Sequence, residues 1–503
     1  MSASTVEIAA PAPLLHEPEP VASVTLRKDS LGLVGLTAQS VAGLAPSCSI
    51  AVPVVVVALI SRNGAWLSWT ISTVVMLAVA GSLALLSRRF VTAGGIYSMN
   101  AAGHPAYGMI SAWAVLLNCL TGGATTPLLF GILLQSLLAD LGIASGRGML
   151  LAIMIACTFT AGALAWRDTS VSARFVLAVE GLSLLAILSL VVVVLTHHWG
   201  HLIDHEQLSL RGVDAHQIFE SIVLGLGAYG GFEAACSFGR EAHAPQRQIA
   251  YSLLGSVAGA GVLFVLCAYV LALGFRGSDL ATTHSGNAWA DLALANGSNL
   301  LRYAVQLGVL ISVFSMFVTN FNVYSRMFLT LSEERLLPRV MSYIDPRTRT
   351  PALAILCNVL FDVSVQVFLV FRGYATRSLY GLICALQGYW ITVSYVLSCI
   401  AMLHCQRRAQ QLRPWHVVVT AVGALPLMLS IVGSAIPLPS FPDNIAVFLF
   451  AVSVVAVTLQ LAYLVRYRPT LLGRIGMRID DEQRGNPPAK LATPTQVAVR
   501  SMP

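Results

Sequence analysis

The sequence predicts an all-α polytopic membrane protein with twelve transmembrane helices, and three observations carry that prediction. The 503 residues are 56% hydrophobic and only 11% charged, with a mean hydropathy of +0.75, whereas soluble domains carry about 25% charged residues. Apolar runs of roughly 20 residues, enough to cross a hydrocarbon core, recur along the chain. Basic residues, finally, alternate in density from one connecting loop to the next.

The apolar runs fall at 33–60, 66–87, 106–138, 149–166, 173–196, 217–239, 249–275, 301–331, 352–371, 378–402, 416–436 and 444–466. The third and eighth are long enough to tilt or to project from the bilayer. One set of loops holds Arg27 and Lys28, Arg88 and Arg89, Arg167 and Arg174, Arg240 and Arg247, a cluster from Arg335 to Arg349, and Arg407, Arg408 and Arg413. The opposite set is sparser. The positive-inside rule then puts both termini in the cytoplasm of a multi-pass protein of the cell (inner or plasma) membrane. The tails, 1–30 and 467–503, are polar and Pro-containing and read as disordered. The first 25 residues lack a signal-peptide pattern, so the first span is expected to act as the insertion signal.

The net charge of +7 does not imply nucleic acid, because in a membrane protein the placement of charge matters more than its sum. Nine cysteines without a CxxC pair read as small apolar residues. Neither a cofactor nor a metal site is expected. The outward loop 197–216 carries His197, His198, His201 and His205, read as a solvated cluster. Gly277 to Leu300 is expected to hold a short amphipathic helix lying at the membrane surface.

Two spans carry internal breaks. The sixth passes through Gly225, Gly227, Gly230 and Gly231 and reaches Glu233 at once; glycine is the weakest ordinary helix former. The first contains Gly43 and Pro46, and proline removes a backbone donor. Unwound backbone survives in a membrane only where it is buried or lines a cavity. Spans one and six are corresponding members of two five-helix halves, 31–196 and 197–402, followed by two peripheral helices in 403–466. Five is odd, so the halves have opposite topology. Interrupted helices at matched positions of inverted repeats point to a central binding site. Free N–H groups at one half-helix end suit a carboxylate and freed carbonyls suit an ammonium, which favours a zwitterion. Gly225, Gly227 and Gly230 also match a dinucleotide fingerprint, but that motif needs a preceding strand.

Acids inside spans are Glu180, Glu233 and Asp362, with Glu220 near a span end. Such residues mark proton or substrate pathways or are structurally paired. Glu180 is the first candidate proton carrier. Glu233, just past the break, reads as a support for the unwound segment.

With these residues in view, the chain resembles the amino acid–polyamine–organocation (APC) superfamily of permeases. Gly231-Phe-Glu233 with Pro245 and Arg247 beyond it is similar to that family's sixth-helix motif. Gly94-Gly95-Ile96-Tyr97 is similar to the loop after its second span. Ser325-Arg326, Glu334 to Pro338 and Thr350-Pro351 are similar to the end of its eighth helix and the following loop. The resemblance implies a LeuT-type 5+5 inverted repeat with helices 1 and 6 interrupted. It also implies a secondary transporter that takes up or exchanges an amino acid or related amine by alternating access.

Carried over by position, the substrate site is Ala42, Gly43, Ala45, Pro46 and Ser47 on the first helix and Gly227, Ala228, Tyr229 and Gly230 on the sixth. Asn118, Cys119 and Gly123 on the third and Asn320 on the eighth complete it. Gly227 stands where some relatives carry an aromatic residue, which implies a roomier site. Some relatives use a fifth-helix lysine in place of sodium, and no span here holds a lysine; coupling is expected through protons at Glu180, with sodium the alternative through Ser315 and Thr319. The implied partners are the small-molecule substrate, membrane lipids and these ions, with no obligate protein. An exchanger, a transporter-like nutrient sensor and a membrane-embedded enzyme are the competing readings; the short tails and the lack of paired acids weigh against the last two.

Overall fold

The computed structural model describes residues 26–167, 169–276, 287–373, 377–436, 438–473 and 475–476. Among these the chain is helical throughout apart from loops and one isolated bridge between Leu31 and Ala242. Eleven segments are long and apolar enough to cross a membrane. The first two expected spans are merged into one of them, the 55-residue stretch Leu33–Ser87. It is nearly continuous helix, but Arg62 at φ 45 turns the chain in the middle.

That stretch shows how local chemistry sets the backbone. α1 (Leu33–Leu44) stops because Ala45 takes a left-handed conformation, φ 47 and ψ 64. Helix resumes as α2 (Pro46–Ser49), where proline at the first helical position loses no hydrogen bond. A π turn over Ile50–Val54 then accommodates Pro53, which lacks an N–H to donate. α3 (Val55–Ser61) and, after the turn, α4 (Ala65–Ser87) follow.

α5 (Ile96–Gly103) precedes α6 (Pro105–Asp140), a 36-residue helix capped by His104. α7 (Arg147–Trp166), α8 (Thr169–His197) and the short α9 (His205–Leu208) lead to α10 (Ala215–Gly227). Helix persists through Gly225 and ends at Gly227; after a non-helical turn a 3-10 segment, Phe232–Phe238, carries the chain on. α11 (Pro245–Gly274), α12 (Ala288–Ala295), α13 (Asn299–Glu333), α14 (Ala352–Phe371) and α15 (Arg377–Arg408) complete the second half. α16 (Pro414–Ala435) and α17 (Asn444–Tyr467) are peripheral, with large apolar side chains such as Leu425, Phe448, Val452 and Leu459 exposed, as faces turned to lipid require.

Much of the helix pairing follows the repeat. If spans one to five recur as six to ten, contacts come in mated pairs, although the packing of α1 on α8 has no counterpart of that extent between α10 and α15. α8 packs on α13, and its mate, α15 on α6, is present. α1 packs on α11 and α10 on α4; α6 packs on α7 and α13 on α14; α6 packs on α14 and α13 on α7.

Two expectations change. Of the segment 277–300, residues 277–286 lie outside the described residues; the short helix expected there is α12, and five of its eight residues are buried in the protein. Trp289 is fully buried and donates its indole N–H to Ile50 O at 3.0 Å. Its apolar face is matched by protein, not lipid. Beyond α17 the described part of the expected tail is packed on the bundle: α18 (Pro469–Leu472) forms, Ile475 packs against Ala101 and Met109, and Gly476 N–H donates to Glu334 Oε1 at 3.1 Å. The rest of both expected tails lies outside the described residues, apart from 26–30.

Candidate substrate site at the paired helix breaks

The two breaks touch. A Cβ on Gly43 would fall on the carbonyl of Gly231, and one on Gly231 would fall on the carbonyl of Gly43, so both positions need glycine. Gly231 needs it twice, since its φ is 97. Ser49 bridges the same region: its hydroxyl lies 3.2 Å from Leu44 O and 3.3 Å from Ala228 O, one carbonyl from each break.

Each break is held by a carboxylate. Glu233 Oε2 accepts from Gly231 N–H at 3.0 Å and from the Tyr395 hydroxyl of α15 at 2.7 Å. Glu180 of α8 does the equivalent at the first break. Its Oε1 accepts from Ser47 N–H at 3.1 Å and from the Ser312 hydroxyl at 3.1 Å, while Ser312 Oγ takes Cys48 N–H at 3.3 Å. The expectation of free N–H groups at this half-helix end is therefore corrected. Pro46 has no N–H and the next two are occupied. Glu180 Oε2 has no hydrogen-bond partner among the described residues.

A cavity of ≈ 560 Å³ opens beside the breaks, within the range of about 300–1,000 Å³ usual for small-molecule sites. Of the residues expected at the site, Gly43, Asn118, Gly227, Ala228, Gly230, Asn320 and Glu233 line it. Ala42, Ala45, Pro46, Ser47, Cys119, Gly123, Tyr229 and Glu180 do not, because helical rotation turns them away. Ala42 packs with Cys157, Ala161 and Phe321, and Ala45 with Leu129 and Val313. The Cys119 thiol reaches Asn358 Oδ1 at 3.6 Å, and Gly123 leaves room for the Asp362 carboxyl. Tyr229 points into the α4–α11 packing, its hydroxyl 2.7 Å from Thr73 Oγ1 and its ring against Trp69 and Phe264.

Sequence reasoning missed Tyr324, Thr125 and Gln387, which also line the cavity, and the Ser312 and Tyr395 supports. For the α15 residues no motif signalled a role. The polar side chain of Gln387 inside an otherwise apolar span was the available clue.

One end of the bundle is bolted. Arg326 and Glu241, 0% and 1% exposed at their side chains, pair at 2.5 Å through Nε and at 3.1 Å through the second nitrogen. The guanidinium also lies 4.4 Å over the Phe238 ring. Ser30 and Leu31 N–H groups donate to Glu241 O at 2.9 and 3.0 Å, tying the start of α1 to the same point. At the other end Arg276 pairs with Asp204 and Glu206. Burial pushes the Asp204 carboxyl up, but hydrogen bonds from Arg276 and Gln207 outweigh it and hold the group below its ordinary range. Among the described residues no cluster of three His, Cys, Asp or Glu is placed to hold a metal ion.

Several known proteins are similar to this chain. The glutamate/serine transporter AimA of Bacillus subtilis is 22% identical over 377 residues, 70% of this chain and 67% of that protein. The general amino acid permease AGP1 of Saccharomyces uvarum is 31% identical over 171 residues, 32% of this chain. Cationic amino acid transporter 5 of Arabidopsis thaliana is 25% identical over 157 residues, 31% of this chain. The alignments with the last two span only 26% of each relative. The amino acid permease family matches residues 31–461, most of the chain. An all-helical bundle with paired breaks and a family match of that extent lead to one statement: the chain belongs to the amino acid permease family, among multi-pass membrane transporters rather than enzymes.

Proposed function

We propose that the protein is a secondary active transporter that carries an amino acid or related amine into the cell by alternating access, coupled to protons. The observation that carries this reading is the cavity shared by two interrupted helices at matched positions of an inverted repeat. The family and the names of its relatives support an amino acid as the cargo. The proposed substrate wall is Gly43, Gly227, Ala228 and Gly230 with Asn118 and Asn320. Ala42, Ala45, Pro46, Ser47, Cys119, Gly123 and Tyr229 shape that wall from behind it.

In this reading Leu33–Ser87 crosses twice, giving twelve crossings, and the basic loops put both termini and the Glu241–Arg326 bolt at the cytoplasmic face of the cell membrane. Glu180 is the proposed proton carrier. It is buried, it faces no basic side chain at hydrogen-bonding distance, and it ties the first break to α8 and α13. Gaining or losing a proton there changes what holds Ser47. Glu233 is the proposed support of the second break.

The test is uptake into proteoliposomes carrying an inward proton gradient. Saturable amino acid flux that collapses with the gradient is expected. Glu180→Gln should cut gradient-driven uptake at least tenfold and spare exchange. Gradient-driven uptake at the native rate in that variant removes Glu180 from coupling, and exchange without any driven uptake in the native protein favours an antiporter.

A further inference from the structure

We propose that the cavity selects amino acids whose side chain is uncharged and ends in a hydrogen-bonding group, an amide or a hydroxyl, with Gln387 and Thr125 holding that end. The inference rests on the permease reading of the same cavity and narrows its substrate class.

The charge inventory excludes ionised side chains. Among the described residues lining the cavity, Glu233 is the one charged side chain, and no Arg, Lys or His is present. Its Oε2 is already engaged by Gly231 N–H and the Tyr395 hydroxyl. Glu180 and Asp362 are buried behind the walls. The two main-chain charges of an amino acid balance each other. A side-chain carboxylate would add a second negative charge near Glu233 with no cation to meet it. A side-chain ammonium would compete with the α-ammonium for a single acid. Burying a charge without its own partner costs more than its other contacts return.

The polar inventory selects among neutral side chains. Thr125 Oγ1 donates to Gln387 Oε1 at 3.1 Å, joining α6 to α15. That orients the Gln387 amide so that its nitrogen is a donor at the wall. The nitrogen approaches Gly122, where an added Cβ would lie 3.4 Å from it, one helical turn from Asn118. Thr125 lines the same wall, and its hydroxyl oxygen keeps lone pairs that can accept. An amide donor beside a hydroxyl acceptor on one wall matches a primary amide or a hydroxyl, each of which supplies both roles.

The experiment compares uptake of glutamine, serine, leucine, lysine and glutamate by the full-length protein in proteoliposomes. Glutamine and serine are expected to be transported, leucine about tenfold less efficiently, as loss of one hydrogen bond implies, and lysine and glutamate at background. Lysine or glutamate moving as efficiently as glutamine overturns the proposal. In Gln387→Leu the glutamine-to-leucine efficiency ratio should fall roughly tenfold; an unchanged ratio removes Gln387 from recognition. If that variant fails to fold, Thr125→Val is read by the same ratio. Gln387→Glu should raise lysine relative to glutamine, and no rise contradicts the charge argument. Flux of none of the five overturns this proposal, and the permease reading falls with it only if no other amino acid or amine moves either, so the two failures are distinguishable.

Discussion

Arg326→Ala is expected to lower the protein's thermal stability sharply and to loosen the end of the bundle where α1 begins. The substitution leaves the Glu241 carboxylate, 1% exposed, without its guanidinium. Removing one partner of a buried pair costs about 3–5 kcal/mol, a large share of the roughly 5–15 kcal/mol by which a folded domain is stable. The loss also spreads, because the segment carrying Glu241 receives the Ser30 and Leu31 N–H groups and pairs with α13. Replacing both partners, Glu241→Gln with Arg326→Met, should recover most of the lost stability, since the isolated charge disappears. Melting of the three proteins in detergent checks this. A single variant that melts like the native protein shows that the pair does not bolt this end.

Gly231→Ala is expected to reduce transport at least tenfold. A left-handed backbone costs an alanine about 1–2 kcal/mol, and the new Cβ also lands on the Gly43 carbonyl. Neither backbone can retreat without parting the breaks or straining the Gly231–Glu233–Tyr395 chain of hydrogen bonds. Gly255→Ala on α11 is the control, because a Cβ there meets nothing within 4 Å. Initial uptake rates of the two variants at matched protein amounts decide the matter. Equal rates show that the contact between the breaks is dispensable.

The parts of the architecture legible in the sequence were those written as local backbone chemistry. Pro46 marked the first break and the glycine run marked the second. Yet the decisive glycine is Gly231, and Gly225, which also looked like a breaker, stays within α10. Packing of its bare Cα beside Ser72 of α4 explains its composition without any unwinding. Which side of a break faces the cavity was not legible, because one residue of helical rotation moves a side chain by about 100°. Gly43 and Gly227 therefore reached the wall, while Ala42 and Tyr229 turned into the packing.

Tertiary partners were hidden for a different reason. Glu180 with Ser312, and Glu241 with Arg326, pair residues 132 and 85 positions apart, and no spacing rule links such pairs. The first break also shows how a general expectation can be overridden locally. A half-helix end was expected to offer N–H groups to a substrate, and the chain's own Glu180 and Ser312 hold them. For α12, an amphipathic pattern suggested a helix at the membrane surface, but an indole hydrogen bond from Trp289 to Ile50 anchors its first turn inside the protein.

Whether substrate sits in the cavity beside the two breaks is read most directly at Gly227. An added Cβ there meets nothing within 4 Å, so a large side chain has room to grow into the cavity without displacing the fold. Amino acid binding to purified native protein and to Gly227→Trp should be measured alongside their melting temperatures. Saturable binding by the native protein is expected, with a variant that melts normally but has lost that binding at least tenfold. A Gly227→Trp protein that binds and transports as the native one does would place the substrate elsewhere.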